Sequence, residues 1–122
     1  MARGDITTSY LSGQTNGKNI LITATTSGGA QTIHTVASGT TTLEFLTIEA
    51  CNSNSSHASN GLWLLMGGTT APDDVIHIDL AHGDGAVVVQ DKRLMQNGLV
   101  VKAYADNANG IVVYGYYQRY TV

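Results

Sequence analysis

The residues whose types and spacing come nearest to chemistry are His77, Asp79, His82 and Asp84. Imidazole nitrogen and carboxylate oxygen are ligands for zinc and other first-row metals. In an extended strand His77 and Asp79 project from one face, and a turn at Gly83 and Gly85 would fold His82 and Asp84 back toward them. The spacing H-x-D-x-x-H-x-D matches no established metal motif, and alternating polar residues equally describe the solvent face of a strand. No metal and no cofactor is therefore expected. Cys51 could be paired with His34, His57 or His82 as a thiol–imidazole couple. It closes an apolar stretch, however, where a free cysteine behaves as a small hydrophobe. The chain holds no nucleophile elbow, P-loop or dinucleotide fingerprint. The Gly83-Asp84-Gly85 turn is too short for an EF-hand calcium loop. The carboxylates Glu44, Glu49, Asp73, Asp74 and Asp79 could form a glycosidase pair only through tertiary geometry. The expectation is a protein without catalytic residues.

Aromatic side chains offer a second kind of site. Four of the six tyrosines, Tyr114, Tyr116, Tyr117 and Tyr120, crowd the C-terminal stretch. Tyr114, Tyr116 and Tyr120 share one face if that stretch is a regular strand. Exposed tyrosines suit protein interfaces or sugar stacking, and packing within the sheet is the ordinary alternative. Trp63 is expected in the core or at the centre of a subunit contact. The interface candidates are thus Trp63, Tyr114, Tyr116 and Tyr120.

The elements that must position these residues read as strands. Apolar runs are short, rich in β-branched residues and bounded by turn residues, and the chain carries 14 glycines. About eight or nine short strands, with turns every eight to twelve residues, predict an all-β fold. The expected architecture is a single antiparallel β-sandwich, jelly-roll-like, with an Ig-like sandwich as second choice. Residues 1–18 read as an N-terminal arm and 19–122 as the sandwich domain. Along 42–51, Leu46, Ile48 and Ala50 alternate with Thr47, Glu49 and Cys51, whereas Leu43 and Phe45 have the opposite parity. That reversal predicts a bulge near Phe45. Residues 52–60 read as a polar loop, and 62–66, apolar on both faces, as a central or covered strand. Ile76, Ile78 and Leu80 should face the core. Asn97-Gly98 marks a tight turn, and 99–105 should pair with 111–122 as a C-terminal hairpin.

Charge separates the remaining classes. Only 12% of residues are charged, about half the ~25% usual in soluble domains. No Asp, Glu, Lys or Arg occurs between Lys18 and Glu44, or between Glu49 and Asp73. Charge is depleted at interface cores, so these stretches suggest surface that meets other protein, with a neutral, hydroxyl-rich solvent surface as the alternative. A net charge of -3 with six scattered basic residues excludes nucleic acid as a partner. No apolar run approaches the ~20 residues of a spanning helix, so no membrane partner is expected. A single cysteine and no apolar leader fit a soluble protein made in a reducing cytoplasm.

Four phrases carry a family likeness: residues 47–52 (TIEACN), 67–74 (GGTTAPDD), 97–105 (NGLVVKAYA) and 115–120 (GYYQRY). Together they resemble small virion structural proteins of tailed phages, among them capsid decoration (cement) and head accessory proteins. The likeness spans roughly residues 42–122. It implies a homotrimer on the capsid surface of the virion, with the major capsid protein as partner and the head stabilised by bridging capsid subunits. An N-terminal arm would suit such clamping through multivalent attachment. The likeness carries no functional residues across. A receptor- or carbohydrate-binding β-sandwich of a phage fibre or tail is the alternative.

Overall fold

A computed structural model describes residues 6–121. Among these residues nine strands form in chain order: β1 (Ile6–Tyr10), β2 (Ile20–Leu21), β3 (Gln31–Thr35), β4 (Thr42–Asn52), β5 (Ser59–Met66), β6 (Val75–Ala81), β7 (Val87–Gln96), β8 (Val100–Ala105) and β9 (Ile111–Thr121). There is no helix among the described residues. Sheet A runs β1-β9-β4-β7, with β2 also on β9, and sheet B runs β3-β8-β5-β6. All the pairings are antiparallel.

The order has a simple origin. Four pairs nest inside one another: β1 with β9, β3 with β8, β4 with β7, and β5 with β6 at the centre. The chain is thus a long hairpin folded over on itself. Closing β9 on β4 and β8 on β5 splits the rolled hairpin into two layers, with β2 added to the first on β9. This is the jelly roll, in which two sheets cover each other's apolar faces. The inward register of β4 (Leu46, Ile48, Ala50) and of β9 (Ile111, Val113) meets that of β5 (Leu62, Leu64, Met66) and β8 (Val101, Ala103, Ala105) in one core.

The pairing overturns several local expectations. Strands β8 and β9 lie in different sheets, so 99–105 and 111–122 form no hairpin; residues 106–110 cross the sandwich. Asn97 and Gly98 do turn with φ of 67° and 71°, but they also carry the chain from one sheet to the other. No bulge falls at Phe45, because β4 stays in continuous register with β9 from Thr42 to Asn52. The irregularities lie in β7 instead, opposite Leu46–Ile48 and Ile48–Glu49. There Lys92 adopts φ 53°, and its N–H, lost to the ladder, donates to Thr47 Oγ1 at 3.2 Å. β2 is confined to Ile20–Leu21, and β5 begins at Ser59, inside the predicted polar loop.

The segment expected as an arm is described from Ile6 onward; residues 1–5 lie outside the described residues. From Ile6 it belongs to the sandwich. β1 pairs with β9 over five residues, and Leu11 is fully buried in the core. Gln14, also buried, locks the turn that follows. Its Oε1 accepts from the N–H groups of Leu11 (3.1 Å) and Gly115 (3.2 Å), and its Nε2 donates to Lys18 O at 3.1 Å. Hydrogen-bonding glutamine in this way satisfies buried backbone donors that no strand reaches.

Candidate functional site

The two outer faces of the sandwich differ in chemistry. On sheet A the outward register contains Ile6, Tyr120, Leu43 and Phe45 at one end, with Tyr10 and Tyr116 beside them. Phe45 pairs with Leu94 on β7, and Glu49 pairs with Tyr114 on one side and Val88 on the other. Among the described residues seven large hydrophobics are exposed, and six of them (Ile6, Tyr10, Leu21, Val88, Leu94 and Tyr114) lie in this register, Leu99 being the exception. Glu49 is the one charge in the outward registers of β1, β4 and β9. Ile6, Leu43, Phe45, Gln118 and Tyr120 line a shallow depression of about 340 Å³. Tyr114, Tyr116 and Tyr120 therefore share a face. Tyr117 points the other way, its ring 4.8 Å from that of His34.

The outer face of sheet B is polar and ordered in two rows. Pairing places Asp79, Gly61 and Asp106 across one row: Gly61 is the Cα partner of Asp79, and the Asp106 N–H donates to Gly61 O at 2.9 Å. In the adjacent row His77, Trp63 and Tyr104 are cross-strand partners. Their rings stack like plates on edge, with centroids 3.8 Å (His77–Trp63) and 5.6 Å (Trp63–Tyr104) apart. Trp63 is half-buried here and does not belong to the core cluster. Its Nε1–H donates to Asp106 Oδ1 at 2.9 Å. A sugar platform needs an open ring face, whereas both faces of Trp63 are covered.

His77 and Asp79 share a face as expected, with Nε2 and Oδ1 3.3 Å apart. His82 and Asp84 do not join them; both sit in the exposed turn after β6. Asp106 takes that place from the far side of β5, and His77, Asp79 and Asp106 bring one ligand atom each within 4.8 Å of one another. Sequence spacing could not reveal Asp106, because only the β5–β8 register brings it to Gly61.

A third polar group lies inside the sandwich. Glu44, on the inward register of β4, is fully buried. Its Oε1 accepts from His34 Nε2 on β3 at 2.6 Å, and its Oε2 accepts from Arg119 Nε (2.9 Å), Arg119 Nη2 (2.8 Å) and the Ala37 N–H (3.0 Å). The Ser12 N–H donates to His34 Nδ1 at 3.0 Å, which fixes the ring proton on Nε2. Burial alone would raise the Glu44 carboxyl; the hydrogen bonds from His34, Ala37 and Arg119 outweigh it and hold the group below the ordinary 4.5. With both nitrogens committed, His34 cannot act as a base for Cys51, which is a free, half-buried thiol. Glu44 and Glu49 point to opposite sides of β4, so they form no acid–base pair.

The group ties β3 of one sheet to β4 and β9 of the other, and its geometry is that of a brace. Compared with protein-family models, curated proteins and solved structures, the chain matches none. The class defined by fold and faces is a jelly-roll sandwich with one apolar and one polar outer face.

Proposed function

We propose that this chain is a non-catalytic assembly subunit, of the capsid-decoration kind its sequence resembles. In this reading it associates with copies of itself as a trimer and seats on the major capsid protein at the virion surface. The observation that supports it most is the gathering of six of the seven exposed large hydrophobics on the outer face of sheet A. Monomers rarely keep a contiguous apolar patch of more than a few hundred Å² in water. A stable interface buries roughly 800 Å² per partner around an apolar core depleted of charge, and on this face Glu49 is the one charge in the outward registers of β1, β4 and β9. Jelly rolls also serve lectins and enzymes, so the face and not the fold carries the reading.

Leu94 is 54% exposed, so Leu94→Glu should leave the monomer folded while placing a charge on the apolar face beside Phe45. Light scattering is expected to show the variant shifted to monomer at concentrations where the unaltered chain is associated. An unchanged mass would remove sheet A from the contact. The capsid part is tested by deleting the chain from a particle that carries it. Heads without it are expected to break at lower temperature or milder osmotic shock, and equal survival would contradict decoration.

A further inference from the structure

We propose that His77, Asp79 and Asp106 bind one divalent first-row transition cation on the outer face of sheet B. The inference is independent of the assembly reading. It starts from Gly61. A Cβ there would collide with Asp106 Oδ2 and stand 2.7 Å from His77 Nε2. Both groups lean over the glycine because it has no side chain, so the missing Cβ on β5 lets ligands from β6 and from the end of β8 gather over one backbone position. Around a tetrahedral zinc ion, ligand atoms lie roughly 3.4 Å apart, given metal–ligand bonds of about 2.0–2.2 Å. The His77 Nε2–Asp79 Oδ1 separation is already 3.3 Å, and the Asp106 oxygen is within 4.8 Å of both.

The surroundings restrain Asp106 and His77 as an outer shell restrains metal ligands. The Trp63 indole N–H occupies Asp106 Oδ1 and leaves Oδ2 turned to Gly61. The same indole stacks on His77 and sets the plane of its ring. Charge points the same way. Two carboxylates share this spot, and among the described residues neither has a lysine or arginine ion-pair partner. One nitrogen and two carboxylate oxygens form a mixed set that suits zinc, cobalt or manganese, with further positions open to water.

Trp63 is the only tryptophan, so its emission reports on this spot alone. Titrating the full chain with Co²⁺ should quench it saturably at one ion per chain, and Zn²⁺ should reverse the quenching by competition. Asp106→Asn, which keeps an acceptor for Trp63, should weaken Co²⁺ roughly tenfold or more. Asp79→Asn should do the same, and with Asp79 67% exposed that variant carries little risk to folding. His82→Ala, in the exposed turn, should titrate as the unaltered chain does. Quenching that rises linearly without saturation, or that is as strong in Asp79→Asn as in the unaltered chain, would overturn the site.

Discussion

Replacing Glu44 with alanine is expected to cost about 3 kcal/mol of folding stability, the lower end of what breaking a buried ion pair removes. Alanine leaves the His34 N–H and the Ala37 N–H without an acceptor between the sheets and strips Arg119 of its carboxylate. Arg119 keeps a third of its side chain in solvent, which is why the lower end applies. Urea denaturation at neutral pH measures the loss. A deficit below about 1 kcal/mol would mean the brace contributes no more than a surface pair.

The same group fixes a pH dependence. The folded-state value of Glu44 lies below its ordinary 4.5, so its contribution is complete above that value. It is lost as pH falls through the lowered folded-state value, where protonation uncouples Arg119. Glu44→Gln has no such proton to gain. The stability gap between the unaltered chain and Glu44→Gln should therefore narrow on acidification, and a constant gap would contradict the assignment.

Gly115→Ala should be comparably damaging. Gly115 faces inward on β9, and a Cβ there would strike the Thr47 carbonyl oxygen and come within 2.8 Å of Leu11 Cδ1. Leu11 can turn aside, but the carbonyl belongs to β4, the neighbouring strand in sheet A. Overpacking of this kind costs about 1–3 kcal/mol, and a clash with backbone puts the expected loss near the upper figure. The double variant Gly115→Ala with Leu11→Ala separates the two contacts. It should remain at least as unstable as Gly115→Ala alone, since removing Leu11 leaves the Thr47 clash and adds a cavity. Recovery in the double variant would show that Leu11 alone was in the way.

Much of the architecture was legible in the residues, and the one instructive failure was in β4. The alternation of Leu46, Ile48 and Ala50 correctly marks the core face, and Ile76, Ile78 and Leu80 do the same for β6. Leu43 and Phe45 break that parity, and the economical explanation from sequence was a bulge that turned them inward. The strand is regular instead. Leu43 and Phe45 face out, and the charged Glu44 between them faces in. Periodicity assumes that charge faces water. It fails where His34 and Arg119, 10 and 75 residues away, provide a buried partner. The same misreading concealed the apolar face of sheet A, since Leu43 and Phe45 are two of its residues.

Other failures share that origin in long-range pairing. Gln14 falls in the segment read as an N-terminal arm, yet its Oε1 accepts from the backbone N–H of Gly115, 101 residues on. Of the two places expected for Trp63, the core or a subunit contact, the core is excluded, because its parity in β5 turns it outward beside His77 and Tyr104. The tyrosine stripe, by contrast, needed only strand alternation and was read correctly as one face. What one strand decides was visible; what two strands share was not.

The central claim is that the outer face of sheet A is covered by copies of the same chain, and the mass of the unaltered protein in solution tests it most directly. Light scattering over micromolar concentrations should give three copies of the 12.8 kDa chain, about 38 kDa. A mass of 12.8 kDa that persists to the highest concentration reached would contradict it.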